Sequence, residues 1–262
     1  MNEDTNWHLK LFQKSLLKQD KLRAISSFLD TPVSGRCLDI GGDNGVISYF
    51  LRQKGGEWWS TDLEQATVNS IRSLVGTNVF RTDGKEIPLE DGFFDIVIIV
   101  DFLEHIRDDS GFVKELWRVM KDDATLIVNV PHVKKLSFLI PIRNFFGMTD
   151  EKHGHLRPGY CIADLRKLFK DRFEIQAYKT YSRFFSELVD TVIGFAYEKF
   201  GGEGKRKSKK GLVITLDDFK KNTKIFRLYS ITYPIIWFIS RLDYLLFFTR
   251  GYKLIVKARK ET

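Results

Sequence analysis

A chain of 262 residues with 43% hydrophobic content can bury a substantial core, as one large domain or one domain plus an insertion, which excludes intrinsic disorder. Its two cysteines, Cys37 and Cys161, exclude a disulfide framework and fit a reducing cytosol. A formal charge of +8 points to an anionic partner, either a membrane surface or a nucleic acid.

Met1 to Asn6 carries no basic-then-apolar leader pattern, so a cytoplasmic protein is expected rather than an exported one. Leu9, Phe12, Leu16, Leu22, Ile25 and Leu29 recur at helical spacing and predict one N-terminal helix within residues 1–30. A short apolar strand follows and ends in Leu38-Asp39-Ile40, directly before the turn Gly41-Gly42-Asp43-Asn44-Gly45 and a helix opening at Val46. Glycines there let the backbone close sharply and approach a ligand, while free N–H groups at the helix start face the same space. The second strand ends in Trp58-Trp59-Ser60-Thr61-Asp62, an acid 23 residues after Asp39, near the spacing at which a carboxylate meets a ribose diol.

Asn78 to Gly84 predicts a third strand. Phe94 to Asp101 is a nearly unbroken apolar run suited to a central parallel strand covered on both faces. Ser110 is the expected N-cap of a helix from Phe112 to Lys121, with a fifth strand over Thr125 to Val130 and a helix from Ile162 to Lys170. Phe173 to Tyr181 and Gly251 to Arg259 predict two further strands. The alternation of strand and helix predicts a doubly wound, mainly parallel sheet with its ligand at the carboxyl ends of the strands, where Asp39, Asp62, Asp83 and Asp101 all fall.

Taken singly, Asp39 reads equally as a cap, Asp62 as a strand-end turn residue and Asp83-Gly84 as a hairpin turn. The glycine turn lacks the G-x-G-x-x-G of dinucleotide sites and the G-K-S or G-K-T of a P-loop, so its ligand is expected to carry no phosphate there. In order and together, these segments resemble the class I S-adenosylmethionine-dependent methyltransferases, especially the group that includes quinone-biosynthesis methyltransferases. Leu38 to Gly45 matches that family's first motif except at Asp43, which stands where a glycine is usual. The likeness covers about residues 30–181 and 251–260.

The resemblance implies an α/β fold, a Rossmann-like seven-stranded, mostly parallel sheet with an antiparallel last strand. It implies S-adenosylmethionine as cofactor, with Asp39, Gly41, Gly42, Asp43 and Gly45 at the glycine turn. Asp62 would bind the ribose hydroxyls with Leu63 beside it, and Asp83 and Gly84 would border adenine. Asp101 and Leu103 would line the cofactor, in a stretch whose Leu103-Glu104-His105 is similar to the family's "L-E-H" segment. Methyl transfer from a sulfonium is an in-line displacement, so alignment of donor and nucleophile is the main requirement. A hydroxyl acceptor needs a base near neutral pH, and of His105, His132, His153 and His155 the preferred choices are His155, in a stretch resembling the family's "H-x-R" segment, and then His105. Arg157 would anchor an anionic acceptor group. Asp150, Glu151 and His153 match no zinc or calcium spacing, and no metal is expected.

The domain boundaries follow: a helix over 1–30, the cofactor domain over 31–181 with 251–262, and an insertion over 182–250, longer than such a connection requires. The insertion holds 14 of the chain's 36 aromatics, and its 13 Lys or Arg against 7 Asp or Glu give +6. Two apolar segments, Phe184 to Phe200 and Ile225 to Phe248, flank the basic run Lys205 to Lys210. The longest uncharged stretch, Leu228 to Ser240, has 13 residues, too few to span a bilayer. An interfacial element on an anionic membrane is therefore expected, or else a helical lid or dimer surface. Lys134 to Phe146 is a further apolar stretch edged by cations, where a lid would cover the acceptor. A hydrophobic or lipid-linked acceptor explains both, and aliphatic density beside the basic run disfavours nucleic acid. The alternatives are a methyltransferase for a small soluble metabolite and a catalytically silent cofactor-binding scaffold.

Overall fold

Strand order follows the hydrophobic pattern closely. In the computed structural model, which describes residues 3–42, 44–134, 139, 143, 154–200, 207–208, 211–212 and 223–261, seven strands form one sheet. They are β1 (Val33–Ile40), β2 (Gly55–Asp62), β3 (Val79–Arg81), β4 (Phe94–Val100), β5 (Met120–Pro131), β6 (Phe173–Tyr181) and β7 (Lys253–Lys260), in the order β3-β2-β1-β4-β5-β7-β6. β7 runs antiparallel between β5 and β6, and the β1–β2, β1–β4, β2–β3 and β4–β5 pairs are parallel. Asp83-Gly84 is thus no hairpin turn, because β3 pairs in parallel with β2.

β4 shows why the central strand is apolar throughout. Val97 and Ile99 join the core on one face, with Phe112, Leu116, Leu165 and Phe169, whereas Ile98 and Val100 join the other, with Ile25, Ile47 and Leu51. Successive side chains of a strand point to opposite faces, so helices on both sides demand apolar residues at every position. Full burial of each such side chain contributes about 1.5–3 kcal/mol.

The helices are α1 (Glu3–Gln13), α2 (Leu16–Ser26), α3 (Val46–Arg52), α4 (Gln65–Val75), α5 (Asp109–Val119), α6 (Ile162–Phe169), α7 (Phe184–Phe200) and α8 (Thr223–Arg241). The single N-terminal helix expected from periodicity is two. Ser15 adopts extended backbone (φ −105°, ψ 95°), and the Gln19 side chain donates to the carbonyls of Phe12 and Gln13 at 2.9 Å, satisfying the end of α1. Asp108, not Ser110, caps α5, its carboxylate accepting from the Gly111 N–H at 2.9 Å.

The long connection between β6 and β7 carries α7, α8 and a 3-10 turn over Leu242–Leu246. The buried Asp243 of that turn caps α7 from outside, accepting from the backbone N–H groups of Arg183 (2.6 Å), Phe185 (2.8 Å) and Ser186 (3.3 Å). Asp43, Asp150 to His153, most of Lys134 to Phe146 and most of the basic run lie outside the described residues. Both cysteines are free, and burial pushes the Cys37 thiol up to about 12, so it is a packing residue.

Candidate functional site

The tips of β1, β2 and β4 meet at the glycine turn. Gly41 has φ +88°, and a Cβ there would lie 2.2 Å from the Val100 carbonyl oxygen, so only glycine lets the chain cross the tip of β4. Its N–H donates to the Thr61 carbonyl at 3.0 Å, tying β1 to β2. Gly42 and Gly45 close the turn through a 2.9 Å backbone bond, and Gly45 caps α3.

Asp39 acts beneath the turn. It is fully buried, with Oδ1 accepting from Ser48 Oγ (2.5 Å) and Oδ2 from Ser60 Oγ (2.6 Å) and Arg52 (3.5 Å). Arg52 also donates to Ser60 Oγ and the Trp58 carbonyl, joining α3 to β2. Burial pushes the Asp39 carboxyl up, against the pull of Arg52 and the two hydroxyls. The sequence pattern found Asp39 but not this set, whose members come from three elements.

Asp62 is fully buried at the tip of β2, where its Oδ1 accepts from the Glu64 N–H at 3.2 Å. Beside it, Thr61 Oγ1 and Asn44 Oδ1 are buried with no hydrogen-bond partner among the described residues. Buried polar groups are normally satisfied, and these two flank the glycine turn and the acid, which fits a polar ligand there. Leu63 is half-buried and Leu103 fully buried. A Cβ on Gly84 would come within 2.4 Å of Ile106 Cδ1, so this glycine lets the loop after β3 pack on the segment after β4. Asp83 is exposed, and its Oδ1 accepts from the N–H groups of Lys85 (2.9 Å) and Glu86 (3.3 Å), bonds that hold its carboxyl below the usual range.

Asp101, at φ +42°, is clamped between two lysines. Its Oδ2 meets Lys21 of α2 at 2.5 Å, and its Oδ1 meets Lys253 of β7 at 3.0 Å and Asn129 of β5 at 3.2 Å. Tyr181 of β6 donates to Asn129 Oδ1 at 2.5 Å. Burial alone would push the Asp101 carboxyl up; Lys21 and Lys253 outweigh it and hold the group well below the carboxylate range. One sign of this network was legible in advance, namely Asn129 as a polar residue inside an apolar strand.

The segment after β4 meets the loop before α6. His105 Nδ1 lies 3.0 Å from the Gly154 carbonyl, and the rings of His105 and His155 pack edge to face at 5.0 Å. A carbonyl partner requires a proton on Nδ1, so a neutral His105 carries its lone pair on Nε2. Glu104 completes the group: one ligand-type atom each from Glu104, His105 and His155 lie within 4.8 Å of one another. Both histidines were legible as acid–base candidates, whereas Glu104 beside them was not. The Arg157 guanidinium, expected at an anionic acceptor group, is engaged elsewhere, by the Asp109 carboxylate and the carbonyls of Ile106 (2.8 Å) and Arg107 (3.1 Å). These contacts tie the loop of His155 to the start of α5, while Arg157 Nε is buried with no hydrogen-bond partner among the described residues. Tyr160 reinforces the tie, its hydroxyl reaching Asp109 at 2.9 Å. His132 meets the Gly251 carbonyl at 2.8 Å, and burial lowers its pKa.

The sequence profile of the methyltransferase domain family matches residues 38–128, from the first motif to β5. A ubiquinone biosynthesis O-methyltransferase of Acinetobacter baylyi is 22% identical over 146 residues, covering 50% of this chain and 61% of that one. A ubiquinone/menaquinone biosynthesis C-methyltransferase of Paraburkholderia phytofirmans is 31% identical over 101 residues, covering 36% of this chain and 42% of that one. The matches thus span about half the length of these relatives. An S-adenosylmethionine-dependent methyltransferase of Thermotoga maritima superposes with a TM-score of 0.56 at 17% identity, covering 98% of this chain and 96% of that one. That likeness is one of fold.

Proposed function

Because the chain belongs to the class I S-adenosylmethionine-dependent methyltransferases, we propose that it methylates a lipid-linked, isoprenoid or glycolipid acceptor at a membrane surface. S-adenosylmethionine supplies an electrophilic methyl group on a sulfonium. The observation that carries the cofactor assignment is the buried Asp62 carboxylate beside the glycine turn, flanked by the unpartnered Thr61 Oγ1 and Asn44 Oδ1. In this reading Asp62 accepts from the two ribose hydroxyls, the Gly41 to Gly45 turn receives the methionine end, and Leu63, Gly84 and Leu103 wall the adenosyl group. Asp83 keeps only its Oδ2 for adenine, since Oδ1 caps its own turn. Asp39 and Asp101 act indirectly, the first by fixing the turn and the second by fixing the tip of β4.

His155 and His105 pack together beyond the tip of β4, and in this reading they supply the base for an acceptor hydroxyl. His105, oriented by the Gly154 carbonyl, either takes the acceptor proton itself or positions His155. The hydrophobic character of the acceptor is supported by the apolar helices of the β6–β7 connection and by the quinone-pathway names of the relatives. No helix among the described residues is long and apolar enough to cross a membrane.

Two results test the reading. Asp62→Ala is expected to weaken S-adenosylhomocysteine binding by about 1.5–3 kcal/mol, the scale of charge-assisted hydrogen bonds, in isothermal titration; unchanged affinity would remove Asp62 from the site. His155→Ala and His105→Ala are each expected to lower turnover on a detergent-dispersed lipid extract of the native cell by roughly 10²-fold or more, with cofactor affinity retained. Full turnover in both variants would sink the base assignment.

A further inference from the structure

Surface helices ordinarily turn a polar stripe to water. α8 does the reverse. Ile231, Ile235 and Phe238, at the i, i+4 and i+7 spacing of one face, are exposed, and Leu245, Phe247 and Phe248 continue the same character beyond the helix, all six between 62% and 76% accessible. Scattered apolar side chains need no explanation, but a stripe continued by a run of this kind does. The buried side of α8 is tied down by the opposite chemistry: Tyr229 donates to the Lys14 carbonyl at 2.5 Å, and Tyr233 receives a bond from Gln19 at 3.2 Å. The helix is therefore oriented, with its polar contacts turned inward to α2 and the turn before it and its apolar stripe turned outward.

At the C-terminal end of that stripe lies a polar cleft of about 320 Å³ between α2, the end of β6, the start of α7 and the end of α8. Arg23, Lys179, Arg183 and Arg241 line it against two carboxylates, Asp20 and Asp243. Asp243 already accepts three backbone N–H groups, and Asp20 pairs with Arg23. Arg241 lies over the rings of Trp237 (4.9 Å) and Tyr244 (5.8 Å), and its Nε is buried with no hydrogen-bond partner among the described residues. Burial, and then the charge of Arg241, hold the Arg23 guanidinium below its ordinary value. Arg183 bonds to the carbonyls of Thr249 (3.0 Å) and Phe247 (3.4 Å), which joins the cleft to the exposed Phe247-Phe248 pair.

We propose that α8 and the turn after it form a membrane-docking element for anionic phospholipid, with the outward stripe in the acyl boundary and a lipid phosphate seated in the Arg23–Arg241 cleft. The proposal rests on the membrane-surface reading above and names the part of the chain that carries it. Charge decides the occupant. A second copy of this chain on a twofold axis would bring the patch against itself and face its arginines with arginines, a repulsive arrangement. An anionic lipid surface meets the same arginines with opposite charge and takes up the apolar side chains between them. Arginine stacked on tryptophan and tyrosine at the edge of an apolar stripe suits the headgroup level, where one end of each side chain is dry and the other wet.

The test is flotation of the full chain with phosphatidylcholine vesicles and with vesicles containing phosphatidylglycerol, at low and high salt. The wild type is expected to bind the anionic vesicles at least tenfold more tightly, and less tightly as salt rises. Ile235→Glu with Phe238→Glu, both at exposed positions, should lose at least tenfold on anionic vesicles. Arg23→Gln with Arg241→Gln should abolish the anionic preference, whereas Lys167→Gln with Lys170→Gln, the same charge removed from α6 and the turn after it, should leave most of it. Three results overturn the proposal: no binding to either vesicle, glutamate variants that float like the wild type, or a concentration-dependent dimer that the glutamate variants abolish. Detergent-dispersed acceptor separates the two levels. Turnover there without flotation removes the docking element and keeps the enzyme reading; flotation without any methylated lipid removes the lipid acceptor and keeps the docking element.

Discussion

Replacing Asp101 by alanine is expected to lower the free energy of unfolding by about 3–5 kcal/mol, the range for removing one member of a buried ion pair, read as a drop in the denaturant midpoint at neutral pH. Lys21 and Lys253 face this carboxylate from α2 and β7, with side chains only 14% and 19% exposed. Without it, two ammonium groups approach one another with no counter-charge, and Asn129 loses the acceptor that orients it toward Tyr181. The sign of the pH dependence follows from the depressed folded-state pKa. Such a carboxylate contributes stability that is fully present above its unfolded value near 3.9 and is lost as pH falls through the lower folded value. The difference between wild type and Asp101→Asn should therefore be largest near neutrality and shrink below about pH 4. A gap that is flat from pH 7 to pH 3 would show that the clamp contributes through shape and not charge.

Gly41→Ala is expected to damage fold and cofactor site together. The backbone at φ +88° costs an L-residue about 1–3 kcal/mol, and the new methyl would fall 2.2 Å from the Val100 carbonyl oxygen, so strand β4 or the turn has to move. Movement there also breaks the Gly41 to Thr61 bond that holds the tips of β1 and β2 at one level. Calorimetry with S-adenosylhomocysteine should show at least a tenfold loss of affinity, beyond the loss of stability seen in denaturant. Native affinity in a folded variant would mean that the cofactor does not use this turn.

Much of the molecule was legible in its sequence. Periodicity gave the strands, the doubly wound order and the two apolar segments that became α7 and α8, because each is a local pattern read within one element. Two local readings failed where side chains compete for backbone groups: Gln19 reaches back to close α1, and Asp108 takes the cap expected of Ser110. The roles of single residues were less legible. The partner of Arg157 was not legible, because nothing in the spacing reveals Asp109, 48 residues away. Glu104 was passed over beside His105, since burial, which makes an acid informative, is not written in the sequence.

By itself, then, the sequence determined the glycine turn, the acid at the tip of β2 and the methyltransferase sheet, since turn chemistry and hydrophobic period act over a few residues. Only the tertiary structure decided that β7 threads between β5 and β6, which carries Lys253 to Asp101 across 152 residues and sets Asp243 on the end of α7. Such partners are chosen by how the sheet closes and not by spacing along the chain. The same closure leaves the apolar stripe of α8 facing outward, where a lipid surface can reach it.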